Sequence, residues 1–431
     1  MKTRQRYNVP VRRRGRGRPR LTHIRPRILR PRLQVRIRRR PAVQDGPLVV
    51  TPVRTRGEFR TFFKFPWALY KGNPYWVPPL VSMQRRKLDR HKNPTWRHMQ
   101  GKYYIAWRGT QAVGTIAAFI NHRHNEFQGE HIGFFGAFHV YDDPEAATAL
   151  LDTAAEYVRA LGYDAIRGPA TFSINDECGI LIKGFDDAPV PMAPYNYPYY
   201  QRLIEHTPGF HKVMDLHSYS ITLQASSQAP KFQQMLRVTQ RNNERRGIVV
   251  RPIHTRRRKK DLQILKTLYN SSWDNNWGFV PLSESELDAL VSELAHGLEP
   301  RLSFIAEVRG EPAALLLAFP DLNQPLHPAY PRPGKPEIVS TLQVLWHWKL
   351  RSKINRIRIP LMGVLEPYRG IGVEAALFLK LYEQAVALSA ETGWEYADAG
   401  WVLENNEPMR RLVEAYSGDA YKHYRLYEAR F

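Results

Sequence analysis

The sequence predicts an α/β chain with mixed sheets: two similar halves in tandem behind an Arg-rich tail. Short runs of alternating or wholly apolar residues are interleaved with helix-period runs from residue 58 to the end, which marks layered α/β architecture. The order of those runs in the first half recurs in the second. In addition, "RLIEHTPGFHKVMDL" at 202–216 aligns with "RLVEAYSGDAYKHYRL" at 411–426 with one insertion, sharing Arg, Leu, Glu, Gly, Lys and Leu at an offset of 209–210 residues. Parallel element order together with this match points to duplication. The boundaries read as a disordered basic tail at 1–57, a first domain at 58–225 and a second at 226–431.

The tail carries most of the charge. Net charge is +24, yet residues 1–50 hold 17 Lys/Arg against the single acid Asp45, leaving +8 for the other 381 residues. Pro and Gly scattered through "RRRGRGRPRLTHIRPRILRPRLQVRIRRRP" prevent a sustained apolar period, so this stretch is expected to be disordered. Its arginines suit nonspecific binding of nucleic acid through phosphate contacts. Arg16, Gly17, Arg18 and Pro19 resemble the core of an AT-hook, an extended peptide laid in a narrow minor groove. The longest apolar run, "AALLLAF", is far too short to cross a bilayer, which takes roughly 20 residues. A single cysteine, Cys178, excludes an internal disulfide framework and suits a reducing compartment, so a cytoplasmic location is expected.

From 58 the elements follow in order. "FRTFFKFPWALYKG" opens with a helix and runs into an aromatic, Pro-rich loop. "YYIAWRGTQAVGTIAAFI" reads as two strands turning at Arg108-Gly109, and "EHIGFFGAFHV" as a third. "DPEAATALLDTAAEYVRALG" has an acidic start and a terminal glycine, the signals of a helix. "DAIRGP" is a strand, "YYQRLIE" a helix and "HKVMDLHSYSI" a strand. The second half begins with the strand "IVVRPIH" and helices around 260–273 and 283–297. A strand pair turning at Arg309-Gly310 and a Pro-rich excursion precede the strand "IRIPLMGVL". A glycine turn, a helix to about Thr392, the strand "EYADAGWVL", a short helix and a closing strand complete it.

"GVLEPYRGIGVEAAL", from Gly363 to Leu377, gathers the chemistry. An apolar strand end meets Arg369, Gly370 and Gly372, then helix formers, the pattern by which glycines and helix N–H groups cradle a phosphate. With the asparagine-bearing helix start at Asn405-Asn406, these residues make the second half resemble the GNAT superfamily of acyl-CoA-dependent N-acyltransferases. Residues 58–431 further resemble a set of bacterial GNAT-like proteins through "WVPPL", "NDECG", "WGFVPL", "PDLN" and "WVLENNEPM". The resemblance implies that acetyl-CoA or another acyl-CoA is the co-substrate. Val364 and Leu365 would pair with pantetheine, and Arg369, Gly370, Ile371, Gly372 and Val373 would hold the pyrophosphate. Two residues depart from the pattern. Glu374 stands where Gly or Ala is usual, and its side chain leans back toward the free amides of its own turn. The tyrosine that protonates the departing thiolate would fall near Val413, leaving Tyr416, Tyr421 and Tyr424 as substitutes. In the first half the corresponding turn is "YDDPEAA", whose acids Asp142, Asp143 and Glu145 suit a bare helix start and repel phosphate.

Among catalytic candidates, Glu404 follows a strand end and is placed to accept the amine's proton, Asn405 or Asn406 to cap a helix, with Asn406 the one assigned to orient a ligand, and Tyr416 to donate. Asn175, Asp176 and Glu177 are candidates for a pocket between the halves, and Cys178 reads as a small buried thiol. "NHRHNEFQGEH" would put His122 and His124 on one strand face, but without a wider ligand pattern no metal is expected. Trp273, Trp277 and Phe279 are expected to pack between domains. The leading function is acyl transfer from CoA to a small-molecule or peptide amine. The alternatives are an aminoacyl-tRNA-dependent transferase and a non-catalytic GNAT-like module tethered to nucleic acid by its tail.

Overall fold

The computed structural model describes residues 46–172, 176–223, 230–253, 258–273, 276–295, 299–351, 354–417 and 419–431. The hook residues Arg16, Gly17, Arg18 and Pro19, and Asn175, lie outside them.

The first half comprises β1 (Leu48–Pro52), α1 (Arg56–Leu69), α2 (Val81–Leu88), β2 (Met99–Arg108), β3 (Gln111–Asn121), α3 (His122–Gln128), β4 (Ile132–Val140), α4 (Pro144–Ala160), β5 (Ala165–Gly168), β6 (Ile180–Lys183), α5 (Tyr199–His206) and β7 (His211–Thr222). The second comprises α6 (Pro230–Arg246), β8 (Ile248–Pro252), α7 (Arg258–Ser272), α8 (Glu284–Ala295), β9 (Phe304–Val308), β10 (Glu311–Pro320), α9 (Asn323–Ala329), α10 (Glu337–Trp346), β11 (Arg356–Val364), α11 (Val373–Thr392), β12 (Tyr396–Leu403), α12 (Glu407–Ser417) and β13 (Lys422–Arg430).

Two expectations are corrected here. The chain joins the sheet ahead of residue 58: Leu48 to Pro52 pair antiparallel with Arg108 to Tyr104, so 48–57 belong to the fold and not to the tail. Apolar Leu48, Val49 and Val50 supply the cause, and Thr55 then caps α1 by accepting from the Glu58 amide. His122 and His124 sit on a helix and share no strand face. Asn121 accepts from the His124 amide at the start of that helix, and Gly129 (φ +65) closes it, so cap signals override the apparent strand.

The thirteen strands of the described residues form one sheet, in the order β1-β2-β3-β4-β5-β13-β7-β12-β11-β10-β9-β8, with β6 paired to β13. The two halves therefore exchange their last strands. β13, from the end of the second half, lies between β7 on one edge and β5 and β6 on the other, all strands of the first, while β7 lies against β12. Ion pairs stitch the exchange: Arg167 Nε donates to Glu428 at 2.8 Å, and Arg425 donates twice to Asp215 at 2.8 and 3.0 Å. Among the described residues only β4–β5 and β11–β12 are parallel, the pairs at equivalent places in the two halves. Across the seam, Phe279 meets Phe127 edge-on and Gln128 donates to the Phe279 carbonyl at 2.7 Å, while Arg167 lies over Trp277.

Candidate functional site

The parallel register of β11 and β12 runs from Arg356↔Tyr396 to Ile359↔Ala399 and stops, although β11 continues to Val364 and β12 to Leu403. Pro360 follows immediately and has no N–H to continue the ladder, so the strands part at that residue. On its other edge β11 stays paired with β10 through Val364, and Leu365 extends that pairing by donating to the Ala313 carbonyl at 2.9 Å.

The turn into α11 is built as its glycines suggest. Gly370 (φ +72) and Gly372 (φ +99) are left-handed, and Gly372 stands at the N-cap with no side chain capping the helix. Arg369 clasps the turn from beneath: Nε donates to the Val364 carbonyl at 3.1 Å and Nη2 to the Ser272 carbonyl at 2.9 Å. Asn242 of α6 donates to the Ile371 carbonyl at 2.8 Å, and its Nδ2 would lie 2.6 Å from any Cβ added at Gly372. Ile371 packs against the apolar cluster of the second half that contains buried Val364 and Val373. Glu374 folds back and its Oε1 accepts from the Gly370 amide at 3.2 Å, so a carboxylate of the chain itself stands at the helix start.

Tyr416 lies between α12 and α11, its ring 4.5 Å from Phe378 and 6.2 Å from Phe232. Its hydroxyl is buried with no hydrogen-bond partner, and burial pushes it up to about 12. Val413 is buried in the same cluster. Tyr421 donates to Asp398 at 2.5 Å, whereas the buried Tyr424 hydroxyl has no partner. Asn406 caps α12 by accepting from the Met409 amide at 3.3 Å. Glu404 is held on both oxygens, by the Asp215 amide at 3.0 Å and Lys212 at 2.7 Å. Asp176 and Glu177 both face Lys87 of α2, at 2.9 and 3.5 Å. Asp176 is near enough to the second half to help raise the Tyr269 hydroxyl, whose main cause is burial. Buried Cys178 is a thiol pushed well up by desolvation.

One pair escapes sequence reasoning altogether. His217 of β7 and His423 of β13 are cross-strand partners with rings 4.6 Å apart, and Val402 of β12 is the other neighbour of His217. Burial and then Arg410 lower His217, while burial and then His217 bring His423 down to about 4, so both are neutral imidazoles near neutral pH. No local motif announces them, because they meet only through the strand exchange.

No family model matches the chain. A tandem GNAT protein from the clavulanic acid biosynthesis pathway superposes on 89% of this chain and 98% of its own, at 13% identity and a TM-score of 0.48. A protein of Caulobacter vibrioides named bacterial ceramide synthase is 29% identical over 388 residues, covering 89% of this chain and 98% of that protein. Protein YghO of Escherichia coli K12 is 31% identical over 373 residues, covering 86% of this chain and 93% of its own length. The chain thus belongs to the family that includes Protein YghO.

Proposed function

We propose that this protein is an acyl-thioester-dependent N-acyltransferase whose acceptor is a long-chain amine. The observation that carries the reading is the parting of β11 from β12 directly ahead of a glycine-opened helix start. Strand ends that part leave backbone groups for an extended donor, and the uncapped amides suit its pyrophosphate. Acyl-CoA is the donor class, with acetyl-CoA its smallest member. A ceramide is an N-acylated long-chain amine, so the name of the Caulobacter relative supports both amide formation and an amphiphilic acceptor.

In this reading the amine nitrogen attacks the thioester carbonyl carbon, the C–S bond breaks, and an amide and a thiolate result. Holding the two reactants in the gap supplies most of the acceleration. Tyr416, kept protonated by burial, delivers a proton to the thiolate. His217, kept neutral, accepts the amine's proton; Glu404 serves by holding Lys212 and the end of β12 in place. The test is incubation with acyl-CoA and a long-chain amino alcohol, reading amide by mass spectrometry and free thiol by colour. Tyr416→Phe should lower kcat by about 10² with KM little changed. Failure to form amide from any amine by a protein that binds CoA overturns the reading.

The contact between Glu374 and the Gly370 amide favours a second reading, a GNAT-like module without turnover. A wild-type protein that binds no acyl-CoA at any accessible concentration decides for it.

A further inference from the structure

The two halves differ in how they join their equivalent central strands. The first passes from β3 to β4 through 122–131. The second passes from β10 to β11 through 321–355, and that excursion carries α10, continued as one π turn from His347 to Arg351. Helix α10 is inside out. The residue it buries is Ser340, at 1% exposure, while Ile338 (65%), Leu342 (58%), Leu345 (44%), Trp346 (51%) and, on the π turn, Leu350 (75%) face solvent. Their spacing at i, i+4, i+7, i+8 and i+12 makes one continuous stripe along the helix. Surface helices of soluble proteins point such a stripe at the core, so this one points at something outside the chain.

The charge around the stripe says what that is. Between Ile338 and Leu350 the only charged residue is the cation Lys349; Arg356 and Arg358 of β11 are spent in ion pairs with Asp187, Asp321 and Asp398 and take no part. Lys349 is exposed beside Trp348, its Nζ 4.1 Å from the ring centre. Glu337, at the head of the helix, is turned away into bonds with the Ser82 amide and hydroxyl of α2. Those bonds bring α2 alongside, adding exposed Met83, Arg85 and Arg86. A second copy docked here would set these cations against themselves, and the chain's own tail is equally basic. An exposed apolar stripe with tryptophan, flanked by the exposed cations Lys349, Arg85 and Arg86, matches the interface of an anionic bilayer.

We propose that α10 with its π turn, flanked by α2, is an interfacial membrane-docking element that seats the protein on anionic lipid with Ile338, Leu342, Leu345, Trp346 and Leu350 in the headgroup–acyl boundary. The element is far too short to span, and among the described residues no helix is long and apolar enough to cross a membrane. The inference stands on the exposed stripe and its charge, and it holds whether or not the catalytic reading above does.

The test is flotation of the full-length protein with phosphatidylcholine vesicles containing about one-third phosphatidylglycerol, in about 0.5 M salt, where a Debye length of roughly 4 Å screens attraction by the tail. Wild type should float, and Leu342→Glu/Leu345→Glu should lose vesicle affinity by more than about a hundredfold, since two exposed leucines no longer insert. Its melting temperature should stay unchanged, because both side chains are already in solvent. In parallel, lipids brominated at the upper acyl chain should quench wild-type tryptophan fluorescence, and Trp346→Phe should lose most of that quenching. Undiminished flotation of the double variant overturns the proposal. So does a wild-type dimer that this variant converts to monomer with vesicle binding unchanged, which would make the stripe a self-association face.

Discussion

The helix that opens at Pro144 and the helix that opens at Val373 occupy the same place in the two halves, and they are finished in opposite ways. Asp143 caps the first by accepting from the Ala146 amide at 3.1 Å, and Arg108 locks that carboxylate with bonds of 2.8 and 3.1 Å while also reaching Glu145. Behind it, Ala170 donates to the Phe135 carbonyl at 2.8 Å and its own carbonyl occupies the place a Cβ at Gly136 would take, so the chain fills the space beside β4. The second helix has two left-handed glycines, no side-chain cap and a neighbouring strand gap. One recurring arrangement of strands thus yields a sealed half and an open half, and the difference resides in a few side chains at one turn.

The largest effect should come from separating the halves. Residues 46–222 alone lack β13, which fills the slot between β5 and β7, and should give no cooperative melting transition. A cooperative melt of that fragment would show that strand exchange is dispensable for the first half.

A smaller effect sharpens the turn comparison. Glu374→Gly should raise acyl-CoA affinity by about tenfold, the equivalent of one charge repulsion near 1.4 kcal/mol. It should lower stability by about 1 kcal/mol, because a helix former becomes glycine. Unchanged affinity by calorimetry would make Glu374 an onlooker.

The smallest effect lies in the sealed half. The buried His139 Nδ1 has no partner, and burial brings the imidazole down to about 4. A histidine with a depressed folded pKa leaves stability intact above its unfolded value near 6.5, and stability is lost as pH falls toward about 4, since the unfolded chain binds the proton first. His139→Phe should flatten that part of a melting-temperature-against-pH curve; an unaltered slope would assign the acid loss elsewhere.

How much of this was legible in sequence follows from the range of each interaction. The glycine turn, Glu374 reaching back to its amides, the Asn406 cap and the acidic start of α4 are signalled within four residues, and sequence reasoning finds them. The helix 122–128 was misread because alternate histidines imitate a strand, although Asn121 and Gly129 already marked its ends. The strand exchange, the His217–His423 pair and the clasp of Arg369 on Ser272 depend on partners far apart in the chain, and periodicity carries no trace of them. Trp277 and Phe279 were legible as bridging residues because large aromatics in a polar loop need a partner surface, whereas Trp273, expected to bridge with them, packs on Tyr269 and Phe279 within the second half.

The central claim is that the second turn alone receives the acyl donor. Titrating acyl-CoA calorimetrically into the wild type, Gly372→Asp and Asp142→Ala/Asp143→Ala tests it most directly. The aspartate would put a Cβ against Asn242, force a side chain into φ +99 and place a charge where phosphate must approach. That variant should lose affinity by more than about 10², while the first-half variant should bind like wild type and lose only the roughly 1 kcal/mol of its cap. Equal binding by Gly372→Asp and wild type, or a loss confined to the first-half variant, would contradict the account.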